Sequence, residues 1–496
     1  MSTTFLANFT SAVANNPDGI AVSDFQKSLT FHSLDRLSTR LAHVLLNGYA
    51  RRGERIGVFL DRGVDLVVAI LAILKAGCTF VLTDVTHPRQ RILECLNDAD
   101  VVTVLASARA PLREYGSRCL IIEKLGPLVA AAGDAVLQDM HSGSTAYIVY
   151  TSGSTGRPKG IDVPYGAFSN YIDWAMAAYE VAKGLGSILH TSVAFDLAFT
   201  SIFLPLAAGR ELHILKGRST IADLADAIGR RKHLSFLKLT PLHLRLLPDL
   251  LGPTGVRNCA RYLVVGGEAL FRADVNFWFQ NAPETRIVNE YGPSETVVGC
   301  VVHEASPNDE RRVIPIGRPI SGASIYLLDD QLRAVPRGAQ GEIFIGGSCV
   351  AHGYIGLPDL TMERFLADPN CDTPGMMMYR TGDVAFYDVD GALIYVGRSD
   401  EQIKHRGYRV ELGEVEARIR NIDEVSDAAV IHLPERDELI AFLTSKMELN
   451  ESILLASLRT VLPDFMLPTK LIWCRALPIT SNGKVDRAAL RDRALQ

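Results

Sequence analysis

The sequence has no apolar run long enough to cross a bilayer. Its longest, LVVAILAIL at 66–74, has nine residues, against the roughly 20 that a helical span needs. It has no excess of positive charge either: 51 Lys and Arg stand against 56 Asp and Glu, a net charge of −5. A nucleic-acid partner, which calls for a basic face, is not expected. The eight cysteines are scattered without a CxxC pair, which argues against a metal cluster and for reduced thiols in the cytoplasm. The first residues, MSTTFLANFTSAVANN, have neither the basic lead nor the apolar block of a secretory signal. Internal repeats and low-complexity segments are also missing.

What is present is alternation. From about 55 to 300, short β-branched runs (RIGVFL, VVTVLA, AYIVYTSG, SILHTSV, ELHILKG, SFLKLTP, RYLVVGGE, RIVNEYG) trade places with amphipathic stretches such as DLVVAILAILKAG and TIADLADAIGRRKHL. This pattern predicts an α/β fold of parallel sheets covered by helices. Ligands in such sheets bind beyond the carboxyl ends of the strands, and several candidate strands end there in Gly, Ser, Thr or Glu. From about 313 to 397, ASIYLLDD, GEIFIGG and ALIYVGR read as antiparallel strands joined by turns. The tail mixes helices such as ELGEVEARIRNI with strands such as DAAVIHL and ELIAFLTSK, and a domain boundary falls near Asp400. At 496 residues the chain is too long for one core.

The stretch TSGSTGRPKG at 151–160 follows one of these strands. Gly153 and Gly156 allow a backbone that aims several N–H groups at one anion, and Thr151, Ser152, Ser154 and Thr155 add hydroxyls. A phosphate is the natural guest, and a plain polar turn is the competing reading. The spacing is not that of a Walker A loop, because Pro158 stands where that loop needs glycine.

The stretch as written, YTSGSTGRPKG, resembles the phosphate loop of the adenylate-forming superfamily. Further matches follow in order: LTFHSLDRLSTRLAHVLL at 29–46, LKAGCTFVLTDVTHPRQR at 74–91, FDLAFTSIFLPLAAG at 195–209 and NEYGPSETVV at 289–298. GEIFIGGSCVAHGYIGLPDLTMERF at 341–365, the segment 379–416 from YRTGD through GRSDEQIKHRGYRVELGEVE, and LPITSNGKVDRAAL at 477–490 complete the set. The wording is similar to that of amino-acid-activating adenylation domains of nonribosomal peptide synthetases.

The resemblance implies a large N-terminal domain (1–399) with a small β-barrel subdomain at about 313–397, and a mobile α+β lid from 400 to 496. It implies attack of a carboxylate on the α-phosphorus of ATP, release of pyrophosphate, and transfer of the acyl group to a carrier protein's phosphopantetheine thiol. Thr151, Ser152, Gly153, Ser154, Thr155, Gly156 and Lys159 would hold phosphates. Glu295 would bind Mg2+, which suits a lone acid beside a nucleotide, and Thr155, on the phosphate side, would be catalytic with Glu295 and Lys484. Tyr291 would stack on adenine, Asn289 would bond its edge, and Gly267, Glu268 and Gly292 would line the nucleotide. Asp383 would take the ribose diol, with Arg398 beside the ribose and phosphates. Lys484 would bridge the carboxylate and the α-phosphate, offsetting the repulsion of two anions, and Asp400 would be the hinge about which the lid swings.

Asp196 lies where amino-acid-activating relatives carry an aspartate for the α-ammonium. A carboxylate among apolar neighbours needs a cation, although a helix N-cap aspartate would look the same in sequence. Leu197, Thr200, Lys238, Val264, Gly266, Glu290, Val298 and Gly299 would line the side-chain pocket, the glycines leaving room. Lys238 can donate to a carboxamide oxygen while Glu290 accepts from its nitrogen, so L-asparagine is expected, with aspartate second. The alternative is that Lys238 and Glu290 pair with each other and frame a smaller pocket. An acyl-CoA ligase and a non-catalytic nucleotide-binding relative are the rival classes. No serine-bearing carrier motif follows Lys484, which fits either a free-standing enzyme or an excised piece of a synthetase. VLTD departs from the usual wording of its motif, away from the nucleotide residues.

Overall fold

The computed structural model describes residues 3–110, 112–153, 156–217, 219–371, 373, 375–400, 402–445, 450–479 and 485–495. The chain forms two compact units. One comprises Met1–Asp84, Asp98–Val149 and Gly160–Ser399; the other comprises Val85–Asn97, Tyr150–Lys159 and Asp400–Gln496. The second unit thus starts at Asp400 but also takes in two earlier segments, which the sequence pattern alone leaves with the large domain.

In the first unit, the β-branched runs become strands of mostly parallel sheets. Among the described residues the largest has seven strands, in the order Gly353–Tyr354, Lys159–Pro164, Thr145–Thr151, Thr79–Leu82, Arg55–Phe59, Thr103–Ala106 and Cys119–Ile121. Thr79–Leu82 sits inside the sheet, parallel to both neighbours. It is buried throughout, as a largely apolar central strand of a parallel sheet should be. Helix Val64–Lys75 is buried along almost its whole length, and helix Phe31–Leu46 packs on it. The latter starts at Thr30, whose hydroxyl caps the Ser33 N–H.

A second sheet runs Leu234–Leu239, Ala260–Val265, Arg286–Tyr291, Val301–Ala305 and Arg318–Pro319, its first three strands parallel. A third orders Ser28–Thr30, Ile20–Ser23, Glu211–Ile214 and Gly186–Leu189. The region expected as a barrel is an open antiparallel sheet among the described residues. Its 11-residue strand Met377–Tyr387 pairs on one side with Gly341–Gly347. On the other side it pairs first with Phe365–Ala367 and then, from Asp383 onward, with Leu393–Arg398, the register shifting within that second ladder at Val384/Ala385. Such a bulge bends a strand and increases its local twist.

The second unit carries the hairpin Gln402–His405/Tyr408–Glu411 and a sheet of Val425–Leu433, Glu438–Ser445 and Lys470–Trp473. Helix Leu412–Arg420 packs on that sheet. Ion pairs tie the first of the earlier segments here: Arg91 with Glu414, and Glu94 with Arg418. Among the described residues no helix is long and apolar enough to cross a membrane.

Candidate active site

Strand register builds the side-chain pocket. Lys238 stands opposite Val264, and Val264 opposite Val288, in three parallel strands. Because side chains alternate across a strand, Lys238, Val264, Gly266, Val288 and Glu290 share one face, while Asn289 and Tyr291 point to the other. Lys238 and Glu290 are buried and form an ion pair with each other. Glu290 also accepts from the hydroxyls of Tyr171 and Tyr179 on helix Tyr165–Ala178 and just beyond it. The room expected at Gly299 is therefore taken by the protein. A Cβ there would lie 2.4 Å from Glu290 Cδ, and one at Gly266 would lie 2.8 Å from the Glu290 carbonyl oxygen. Gly299 leaves the Glu290 side chain room to reach Lys238, and Gly266 lets the Glu290 backbone approach closely. Thr200 is fully buried, its hydroxyl 2.7 Å from that of Tyr171. Leu197 is half-buried at the start of helix Leu197–Ala207.

Asp196 occupies the N-cap position of that helix, and its carbonyl accepts the Phe199 N–H. Its side chain, however, makes no capping bond. The carboxyl is buried instead, and burial pushes its pKa up to about 6. Hydrogen bonds from the Ser294 hydroxyl and the Val298 N–H, with the Lys238 charge, pull it down; nearby Glu295 pushes it up. Its Oδ2 has no hydrogen-bond partner among the described residues. A buried carboxylate oxygen without a donor is costly, and a bound ammonium would satisfy it. The Val298 N–H is delivered by a strained turn: Val297 and Val298 have φ of 59° and 54°, a region that β-branched residues avoid. Gly292 packs against the same turn, where a Cβ would meet the Gly299 Cα at 2.8 Å.

Glu295 is fully buried in the turn Ser294–Thr296, and its Oε1 accepts from the Tyr354 hydroxyl at 2.7 Å. Among the described residues, no three His, Cys, Asp or Glu side chains converge as a protein-only metal cage. Asn289 donates its amide N–H groups to the carbonyls of Ile314 and Pro315, which leaves Oδ1 for any base edge. Tyr291 donates to Asp383 Oδ2 at 2.6 Å, and Arg398 donates to Asp383 Oδ1 at 2.8 Å and to the Thr381 carbonyl at 3.0 Å. Gly267 has φ 93°, and Glu268 beside it is half-buried.

In the second unit, Gly153 and Gly156 are glycines for steric reasons. A Cβ at 153 would lie 2.1 Å from the Arg157 carbonyl oxygen, and one at 156 would lie 2.6 Å from Ala417 Cβ at φ 84°. The Ser152 hydroxyl donates to the Arg409 carbonyl and accepts the Glu411 N–H. The Gly153 N–H donates to Glu414, and Lys159 Nζ lies 3.9 Å from Glu411. The donors expected to face phosphates are therefore engaged by GYRVELGEVE, whose carboxylates supply the negative charge. The buried Thr151 hydroxyl, in contrast, has no hydrogen-bond partner among the described residues. Asp400 is exposed, its carboxylate accepting the Gln402 N–H. Ser154, Thr155 and Lys484 lie outside the described residues.

Sequence reasoning misses Ser294, Tyr171, Tyr179 and Tyr354. Ser294 and Tyr354 sit inside quoted motifs, in GPSET and HGYIG, so a search for hydroxyls near the acidic residues would raise them. Tyr171 and Tyr179 carry no such signal, because a helix aromatic reads as core.

The AMP-binding enzyme family matches residues 9–355, and its C-terminal domain matches 414–484. The chain belongs to this family. It is an adenylation domain of the nonribosomal peptide synthetase type, an ATP-dependent, AMP-forming ligase. It is 35% identical to bacitracin synthase 3 of Bacillus licheniformis over 97% of this chain and 8% of that protein. It is 36% identical to the AMB antimetabolite synthetase AmbB of Pseudomonas aeruginosa, over 97% of this chain and 38% of that one. The chain thus spans well under half the length of these relatives. Among solved structures it is similar to holo-PA1221, described as a nonribosomal peptide synthetase protein containing adenylation and carrier domains. That match has TM-score 0.88 and 29% identity, covering 99% of this chain and 84% of that one.

Proposed function

We propose that this enzyme activates L-asparagine as its adenylate and passes the acyl group to the phosphopantetheine thiol of a carrier protein. The observation that carries the reading is a buried set of charges, two on one sheet face and one at a helix start. Asp196 has an open oxygen, and the Lys238–Glu290 pair lies at the carboxyl ends of the neighbouring strands. Asp196 holds the α-ammonium. Lys238 has three N–H groups; with one given to Glu290, the others can donate to a carboxamide oxygen. The amide nitrogen finds acceptors in Glu290 and Thr200. An aspartate side chain would bring a second anion against Glu290 and lose that bond.

ATP is the co-substrate. Thr151, Ser152, Gly153, Ser154, Thr155, Gly156 and Lys159 cradle its phosphates; Ser152 and Gly153 exchange their present protein partners for phosphate oxygens. Asn289, Tyr291, Gly292, Gly267 and Glu268 take the base, and Asp383 with Arg398 the ribose. Glu295 suits Mg2+: a single buried carboxylate, one oxygen of which takes a hydroxyl donor, matches an ion that completes its shell with phosphate oxygens and water. That ion supplies neutralisation of phosphate charge when bound. Lys484 offsets the repulsion between the attacking carboxylate and the α-phosphate, and Asp400 is the hinge for the residues that follow it.

The self-paired Lys238 and Glu290 favour one second reading, a smaller pocket for another small amino acid. Pyrophosphate exchange across the twenty amino acids, with D-asparagine added, decides between them. Asparagine should head the panel; alanine or serine at its head with asparagine silent would establish the second reading.

A further inference from the structure

Helix Tyr165–Ala178 and the residue just after it aim two phenols at the selectivity carboxylate. Tyr171 and Tyr179 are fully buried, and burial, with the adjacent Glu290 charge, pushes both phenols well above their usual range. Both therefore carry their protons. Tyr171 has one hydroxyl hydrogen, and both Glu290 oxygens stand at 3.2 and 3.3 Å from it. An ionised carboxylate only accepts, so that hydrogen goes to Glu290. The contact between Tyr171 and Thr200, 2.7 Å, admits either hydroxyl as donor by distance alone; with the Tyr171 hydrogen on Glu290, Thr200 is the donor. The chain Thr200→Tyr171→Glu290 has a fixed polarity, and Thr200 keeps only lone pairs for anything that enters beside it. Tyr179 holds the second Glu290 oxygen, while Lys238 holds the first.

We propose that Tyr171 and Tyr179 are positioning residues that set side-chain selectivity: they pin Glu290 against Lys238 and turn Thr200 into an acceptor, so the pocket takes a neutral amide in preference to a carboxylate. The inference rests on the reading of Thr200, Lys238 and Glu290 as the side-chain pocket. A carboxylate substrate has no N–H for Thr200 and repels Glu290. Losing either phenol frees the Thr200 hydroxyl or the Glu290 carboxylate to turn, and the discrimination relaxes.

The test uses Tyr171→Phe, Tyr179→Phe and Thr200→Val in amino-acid-dependent pyrophosphate exchange. It reads kcat/KM for asparagine and aspartate, KM for ATP, and melting temperature. Hydrogen bonds to a charged group of this kind correspond to about tenfold or more, so the asparagine-to-aspartate ratio should fall about tenfold in each tyrosine variant. The change should sit in the amino-acid KM, with KM for ATP unmoved. Tyr171→Phe combined with Thr200→Val should fall little further than either alone, because both cut one chain. A ratio within twofold of wild type in both folded tyrosine variants overturns the proposal. If Tyr171→Phe melts early, Thr200→Val, which keeps both phenols, decides in the same way. If wild type prefers another amino acid, the asparagine reading falls by itself. The proposal then stands or falls on whether the ratio of wild type's best to second-best substrate shifts in these variants.

Discussion

Replacing Asp196 with asparagine should make the empty enzyme more stable and inactive at once. Burial raises the folded pKa of this carboxyl from 3.8 to about 6. That is about two units, or about 3 kcal/mol at 1.36 kcal/mol per unit. The sign follows from the direction. A carboxyl whose folded pKa is raised contributes stability that is fully present below its unfolded pKa and is lost as pH rises through the folded one. At pH 8 the wild type therefore bears the full cost of a buried anion, which Asp196→Asn removes. The amide adds a buried NH2 that needs a partner, so the net gain is below about 3 kcal/mol. Melting of the two proteins, without substrates, should show the variant higher by a few degrees at pH 8, and the gap should shrink as pH falls through about 6 toward 3.8. Asparagine at saturating concentration should raise the wild-type melting temperature by mass action and leave the variant's unchanged. Exchange activity should fall by about a thousandfold, as for loss of a charged, desolvated contact. A variant less stable than wild type at pH 8, with a gap that ignores pH, would refute the reasoning that this carboxylate is buried without its cation.

Three further outcomes follow. Gly299→Ala puts a Cβ 2.4 Å from Glu290 Cδ, so the carboxylate must leave Lys238; asparagine kcat/KM should drop about tenfold or more, with KM for ATP retained, as read by exchange kinetics. Glu295→Gln should raise the Mg2+ concentration needed for half-maximal exchange about tenfold, measured by metal titration of the reaction. Lys484→Ala should slow adenylate formation by about 10²–10³ while ATP binding, followed by calorimetry, stays within a few-fold of wild type.

Much of the fold is legible because the signal is local. Runs such as RIGVFL and RYLVVGGE are β-branched, short and bounded by turn residues, and they form Arg55–Phe59 and Ala260–Val265. The buried strand Thr79–Leu82 is harder: TFVL lies within a longer motif, and no alternation marks a strand buried on both faces. The register shift at Val384/Ala385 within the long strand Met377–Tyr387 is a backbone event that composition does not encode.

In the site, the identities of Lys238 and Glu290 are readable but their mutual pairing is not. Pairing depends on register across three strands and on the space left by Gly299. The turn at Val297 and Val298 is illegible for a different reason, since two valines are the last residues expected at positive φ. Its strain persists because Ser294, Gly292 and Gly299 hold the turn in place. Tyr171 and Tyr179 look like ordinary core aromatics until their hydroxyls are traced to Glu290.

The most direct measurement compares asparagine with succinamic acid, the same molecule without its α-amine, in wild-type pyrophosphate exchange. If Asp196 receives the α-ammonium, succinamate should support exchange at least about a thousandfold less well by kcat/KM, the cost of leaving a buried carboxylate unpaired. Comparable kcat/KM for the two acids would contradict the account.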